Sequence, residues 1–230
     1  MPKTIIVVGF GPGISTAVAE KFGAEGFAVA LVARSQERLD AGVAALKAKG
    51  VAAAAFAADA GDAASIEAAI AKARGALGPI AVVHWNAFSG AEAGDLLAVA
   101  PSVVGGVFNV AIVGLLAAAE AALPDLKSQG GALLVTNGAF GELGAPMDAI
   151  AVGMKSMGVA LANAAKHKLV GLLSERLKAD GVYVGEVMVA GMVKGTAWDN
   201  GSQGAIDPTR IAEQFWRLYQ GRGEVRARVS

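Results

Sequence analysis

Short apolar runs alternate with longer amphipathic stretches along this chain, and a glycine or a polar turn separates nearly every pair. Residues 5–8 are an unbroken β-branched run stopped by Gly9, the pattern of a strand buried on both faces. Ile14, Val18 and Phe22 recur at four-residue spacing, which predicts a helix over 14–22. The same alternation predicts strands at 27–32, 51–57, 80–84, 131–136, 182–189 and 224–229. Helices are predicted at 36–49, 63–76 and 207–220, the last with Pro208 just inside its start. Residues 95–122 carry helical material in one or two pieces, with Pro101 near a start. Residues 149–169 read as one helix that runs on through 178, and Pro146 falls in the loop before it.

Strands alternating with helices from end to end imply an α/β fold, a doubly wound parallel sheet with helices on both faces. No linker or composition shift divides the 230 residues, so a single domain, 1–230, is expected. Composition then removes whole classes. An apolar fraction of 54% excludes disorder, because such a chain can cover the entropy of ordering. Twenty basic and twenty acidic residues leave no global field for nucleic acid or an anionic membrane. The absence of cysteine excludes a disulfide scaffold, an iron–sulfur cluster, a thiolate metal site and a cysteine nucleophile. No metal is expected. The first residues run straight into a strand rather than into a signal peptide. The most apolar stretch, 103–119, is interrupted by Asn109 and three glycines and is short for a span of ~20 residues. It reads as a buried helix, and the chain as a cytoplasmic protein.

Gly9-Phe10-Gly11-Pro12-Gly13-Ile14 lies between the first strand and the first helix. In that context the glycines let main chain approach a pyrophosphate, and the helix start supplies free amides and the positive dipole end. Ser15 and Thr16 are positioned to add hydroxyl donors. No Gly-Lys-Ser/Thr follows, so a nucleotide-triphosphate loop is excluded. The second strand ends Ala33-Arg34-Ser35 without the carboxylate that would accept from ribose hydroxyls. Arg34 can pair with a 2′-phosphate, Ser35 can donate to it and Arg38 can help, which favours NADP(H) over NAD(H). Asp59, after the third strand, is placed to accept from the adenine amino group, whereas Asp62 suits a helix cap.

The glycine turn, Asp59, the Asn86-Ala87 pair after the fourth strand, Asn109 in the next long helix and Lys155 beyond the fifth strand occur in an order that resembles the short-chain dehydrogenase/reductase family. The resemblance spans essentially the whole chain. It implies a Rossmann-type three-layer sandwich with a seven-stranded parallel sheet, a nicotinamide cofactor, a small-molecule substrate, and a homodimer or homotetramer packed through the helices at 103–122 and 149–169. It also implies catalytic roles for Lys155 and Asn109, with Lys155 gripping the nicotinamide ribose. By the same resemblance Gly191 keeps a turn after the sixth strand, Val193 meets the carboxamide by its main chain, and Thr196 reaches the pyrophosphate or amide. Residues 197–206 read as a lid, with Trp198 as an apolar contact.

Departures from the family pattern fall in the chemistry. Members that reduce ketones or oxidise alcohols carry Tyr-x-x-x-Lys and an earlier serine. Here Ala151 stands four residues before Lys155 and Gly138 stands at the serine position. The chain's two tyrosines, Tyr183 and Tyr219, have no lysine four residues on. After the fourth strand, Trp85 and Phe88 flank Asn86-Ala87, with core packing as plausible as a pocket role. Candidate replacement acids are Asp148, Glu142, His84, or a water held by Lys155 and Asn137. The expectation is an NADP(H)-dependent oxidoreductase acting on a small carbonyl or enone with an atypical proton donor. The alternative is an NADP(H)-binding sensor or partner subunit without hydride transfer.

Overall fold

A computed structural model of the chain describes residues 2–196, 199, 201 and 204–230. Strands β1 (Thr4–Val8), β2 (Ala28–Ala33), β3 (Ala53–Ala57), β4 (Ile80–Trp85), β5 (Ala132–Gly138), β6 (Tyr183–Val189) and β7 (Arg226–Val229) form one parallel sheet in the order β3-β2-β1-β4-β5-β6-β7. The expected seven-stranded Rossmann-type sandwich is what forms. Helices α1 (Ile14–Ala24), α2 (Gln36–Ala48), α3 (Ala63–Leu77), α4 (Pro101–Phe108), α5 (Gly114–Gln129), α6 (Ala145–Gly153), α7 (Met157–Leu177) and α8 (Pro208–Gly221) surround it.

Strand residues alternate between two cores. Ile5, Val7 and Leu134 pack with Phe22, Leu39 and Phe215 of α1, α2 and α8. Ile6, Val8 and Val135 pack with Ile66, Leu115 and Val170 of α3, α5 and α7. Several helix starts are fixed locally. Ser35 caps α2 by accepting from the Arg38 amide, Asp62 caps α3 by accepting from Ala64 and Ser65, and Asp207 caps α8 ahead of Pro208. The cap role read for Asp62 is therefore the observed one.

One helical expectation changes, and a second is met in two pieces. Residues 149–169 are not one helix: α6 begins at Ala145 with Pro146 in its first turn, and the chain breaks between Gly153 and Met157. At the break Lys155 adopts φ 51°, the Ser156 amide donates to the Ala151 carbonyl, and the Met157 amide donates to the Gly94 carbonyl. A lysine held left-handed ends a helix rather than continuing it. The 95–122 region becomes α4 and α5 joined by a wide π-helical turn, Asn109–Val113, and α5 runs past Pro124 to Gln129. The turn drives Gly114 against the loop after β3, where a Cβ would lie 2.0 Å from the Ala60 carbonyl oxygen. By length and composition alone, Pro101–Gln129 is long and apolar enough to cross a membrane. Its inner side, including Leu115, Ala118 and Leu126, packs on the sheet.

Candidate functional site

Between β1 and β4 the connections leave the sheet in opposite directions, and a crevice opens at the strand ends. Two cavities occupy it and share Asn86 and Phe88. The first, about 450 Å³, lies over β1 and β2; the second, about 560 Å³, lies over β5 and β6.

Main chain builds the first cavity. Gly9 (φ 84°) lies so close to the β4 loop that a Cβ would sit 2.4 Å from the Ala87 nitrogen. Gly13 (φ 85°) leaves the space taken by the Thr196 methyl, 2.5 Å from where its Cβ would be. Both positions demand glycine on two counts, backbone conformation and room. The Ser15 and Thr16 hydroxyls do not reach out as expected, since both donate to the Gly11 carbonyl, at 2.9 and 2.7 Å. They shape the turn instead. Helix α1 starts without a side-chain cap or an acid in its first turn, so its leading amides and dipole face the turn uncompensated.

Gly9, Gly11, Pro12, Arg34, Ser35, Arg38, Asp59, Asn86 and Ala87 all line this first cavity. Asn86 donates to the Gly9 carbonyl and so ties the β4 loop to the glycine turn. Asp59 accepts from the Gly61 amide at 2.9 Å. Arg34 and Arg38 are exposed at the rim. Across from them the Ser89 hydroxyl, foremost among several hydrogen bonds, holds the Glu92 carboxyl below its usual range; Arg34 adds a smaller attraction.

Side chains build the second cavity. Ile14, Gly191 and Thr196 line it, as do apolar groups from α6 and the β5 and β6 ends. Thr196 donates to the Val193 carbonyl, and Val193 itself is buried and bridges to Ile206. Trp198 and half of the expected lid lie outside the described residues.

Asn109 and Lys155 line neither cavity. Asn109 is exposed at the entry to the π-helical turn, with its Cβ towards Gly61, and Lys155 is exposed in the α6–α7 break. Among the candidate acids, His84 is fully buried beside Phe215, bonded to Thr136 Oγ1, and burial pushes it down to about 3, so it is neutral. Glu142 is paired with Arg228, and Asp148 is exposed in the first turn of α6. None of the three lines the cavity, whereas Asn137 does. Neither a tyrosine nor a serine is among its described lining residues.

The floor carries the expected Asn137 together with three groups that the sequence did not single out, Glu186, His167 and Lys166. Asn137 donates to Glu186 Oε1 and to the Asn163 carbonyl. Glu186, wholly buried on β6, also meets His167 at 2.7 Å and Arg226 at 3.2 Å. Lys166, 4% exposed, donates to the Thr136 carbonyl at 3.1 Å, and burial, partly offset by Glu186, pushes it down to about 8. A signal for them exists: Val159, Ala162, Asn163, Lys166, Val170 and Leu177 follow helical spacing along one buried stripe.

The profile of the short chain dehydrogenase family matches residues 3–201. Among curated proteins none matches the chain. The fold is similar to L-sorbose reductase from Gluconobacter frateurii, solved with NADPH and L-sorbose, with a TM-score of 0.87, 20% identity and coverage of 100% of this chain and 95% of that one. It is similar to a short-chain dehydrogenase from Sphingobium yanoikuyae in complex with NADPH, with a TM-score of 0.81, 24% identity and coverage of 99% and 87%. A metagenomic short-chain oxidoreductase in complex with NADP gives 0.79, 23%, and coverage of 99% and 95%.

Proposed function

This chain belongs to the short-chain dehydrogenase family, and on that premise we propose that it is an NADP(H)-dependent oxidoreductase acting on a small carbonyl or enone. The observation that carries the proposal is the first cavity, a glycine cradle that side chains would fill, with two arginines and no carboxylate at the end of β2. Those residues fit a phosphorylated dinucleotide. The glycine turn and the start of α1 would hold the pyrophosphate, Arg34 and Arg38 the 2′-phosphate, and Asp59 the adenine amino group. Similar structures hold NADP or NADPH, which supports the same assignment. When bound, the cofactor supplies or takes a hydride at its nicotinamide ring.

The chain's own residues then orient and exclude water. Asn86 and Phe88 stand where the two cavities join, and the apolar walls of the second keep a substrate dry. The proton comes from a group other than tyrosine: Tyr183 donates to the Glu224 carbonyl, Tyr219 stacks near Phe22 and Phe27, and neither lines the crevice. The lack of a tyrosine or serine among the described residues that line the second cavity also favours a second reading, a cofactor-binding sensor or partner subunit without turnover.

A homodimer in the cytoplasm completes the proposal. Val113 at the end of the π-helical turn, Leu116 on α5, and Leu161 and Leu172 on α7 are exposed large apolar groups suited to a partner's helices. Titration with NADPH and separately NADH, followed by nicotinamide fluorescence, tests the cofactor. Turnover of a carbonyl and enone panel with NADPH separates enzyme from sensor. No binding of either nucleotide would sink both readings.

A further inference from the structure

One largely buried residue lines the second cavity with a polar side-chain group that no described protein residue engages. Asn163 is 4% exposed and lines the cavity, and its carboxamide has no hydrogen bond among the described residues; only its main-chain carbonyl is used, by Asn137. Its amide atoms are not sealed off, since the buried side-chain atoms without a partner among the described residues are His84 Nδ1 and Trp85 Nε1; the Asn163 carboxamide opens onto the cavity, where water or a ligand can meet it. The space it enters exists because residue 138 is glycine. A Cβ there would lie 2.7 Å from Asn163 Nδ2, so the carboxamide fills the volume at the end of β5 that a side chain on 138 would take.

Lys166 lies three residues further along α7 and lines the same cavity, so the two side chains are neighbours on one helix face. Among the described residues its ammonium makes one hydrogen bond, to the Thr136 carbonyl, which leaves two N–H donors. The charged groups behind it, Glu186 with its partners His167 and Arg226, face the sheet side of α7. Much of the remaining wall is apolar: Phe88, Phe140, Met147, Ile150, Met154 and Met192.

We infer that the Asn163 carboxamide and the Lys166 ammonium form an oxygen-binding subsite that takes the single carbonyl oxygen of an otherwise apolar, uncharged substrate. The inference rests on the oxidoreductase reading and deepens it. In the reductive direction Lys166 gives one proton from Nζ to that oxygen while the carbonyl carbon takes the hydride of reduced nicotinamide. The carbonyl π bond is lost, one C–H and one O–H bond form, and Nζ is left as a neutral amine that water reprotonates. Burial lowers the pKa of Lys166 to about 8, so Nζ is charged at neutral pH yet close to releasing its proton.

The test is infrared difference spectroscopy of 13C=O-labelled 2-cyclohexen-1-one on the full-length protein, with and without NADP+, where no turnover occurs. The bound carbonyl band is expected below its position in water. Asn163→Leu and Lys166→Met each return part of that shift and weaken binding about tenfold; the double variant returns all of it. Asn163→Asp, nearly isosteric, covers the case in which the leucine variant fails to fold and must likewise move the band back. A band unmoved by these variants, or no binding of the probe to the wild type, overturns the subsite. Turnover on the panel judges the other reading separately. Turnover with an unmoved band keeps the oxidoreductase and removes the subsite, whereas a moved band without turnover keeps the subsite and removes the oxidoreductase.

Discussion

The first cavity is walled by main chain and the second by side chains, and that difference decides how each tolerates change. Around Gly9 and Gly13 the contacts are backbone to backbone or backbone to a methyl, so the residue type is dictated by space and φ. Around Asn163 and Lys166 the wall is made of side chains on one helix, and a half-turn change of position swaps which group faces the crevice. A cofactor cradle of the first kind can persist unchanged while the chemistry beside it is rebuilt. Substitutions in the first cavity should therefore act on cofactor binding, with a loss of stability where a crowded glycine is replaced, and those in the second on the substrate and on the pH dependence of stability.

Gly9→Val should have the largest effect. Its Cβ would meet main chain at 2.4 and 2.5 Å, which cannot move aside, and φ 84° is strained for a β-branched residue. Backbone strain and overpacking together are expected to cost about 4 kcal/mol of stability. NADPH affinity should fall about a hundredfold, by loss of the oriented amides. Chemical denaturation and fluorescence titration check the two effects, and normal binding would break the contrast between the cavities.

Lys166→Met comes next and has the opposite sign on stability. The folded-state pKa of about 8 lies below the ordinary lysine value of 10.5, because burial disfavours the ammonium. That penalty is complete below pH 8 and fades as pH rises through about 8 towards 10.5. At pH 7 the methionine variant should gain about 2 kcal/mol after the lost bond to Thr136 is counted. Wild-type stability should climb between pH 8 and 10.5, and the variant should lack that climb. Urea melts at several pH values measure both.

How far each cavity was legible follows from the same contrast. Glycine spacing after a β-branched run is a local signal, so the turn at Gly9–Gly13, the residues after β2 and Asp59 could be placed from the chain alone. The second cavity depends on where one helix starts. Lys155 falls on a left-handed break because the Met157 amide is drawn to the Gly94 carbonyl, a contact between residues 63 positions apart that no periodicity reveals. The alternating strands and helices, with helices on both faces of the sheet, were legible because short apolar runs alternate regularly with amphipathic stretches; the break in α6–α7 and the π-helical turn at Asn109 were not, since both are set by tertiary contacts.

Arg34→Ala should weaken NADPH by about tenfold and leave NADH unchanged, the worth of one exposed charge-assisted hydrogen bond to a phosphate. The effect should shrink in high salt, because Arg34 is exposed at the rim. Equal loss for both nucleotides would mean that Arg34 acts on the fold of the loop and not on the 2′-phosphate.

The smallest predicted effects come from two aspartates three residues apart, and they sharpen the comparison most finely. Asp62 accepts from the Ala64 and Ser65 amides and does not line the crevice, so Asp62→Ala should cost about 1 kcal/mol of stability and leave NADPH affinity unchanged. Asp59 lines the first cavity but spends one carboxylate oxygen on the Gly61 amide, leaving the other for an adenine amino group. Asp59→Asn keeps an acceptor for Gly61 and should weaken NADPH only about threefold, with little change in stability. If Asp59→Asn destabilised the protein as much as Asp62→Ala while NADPH bound normally, Asp59 would be a turn residue. The adenine end of the cradle would then, like its phosphate end, be held by main chain alone.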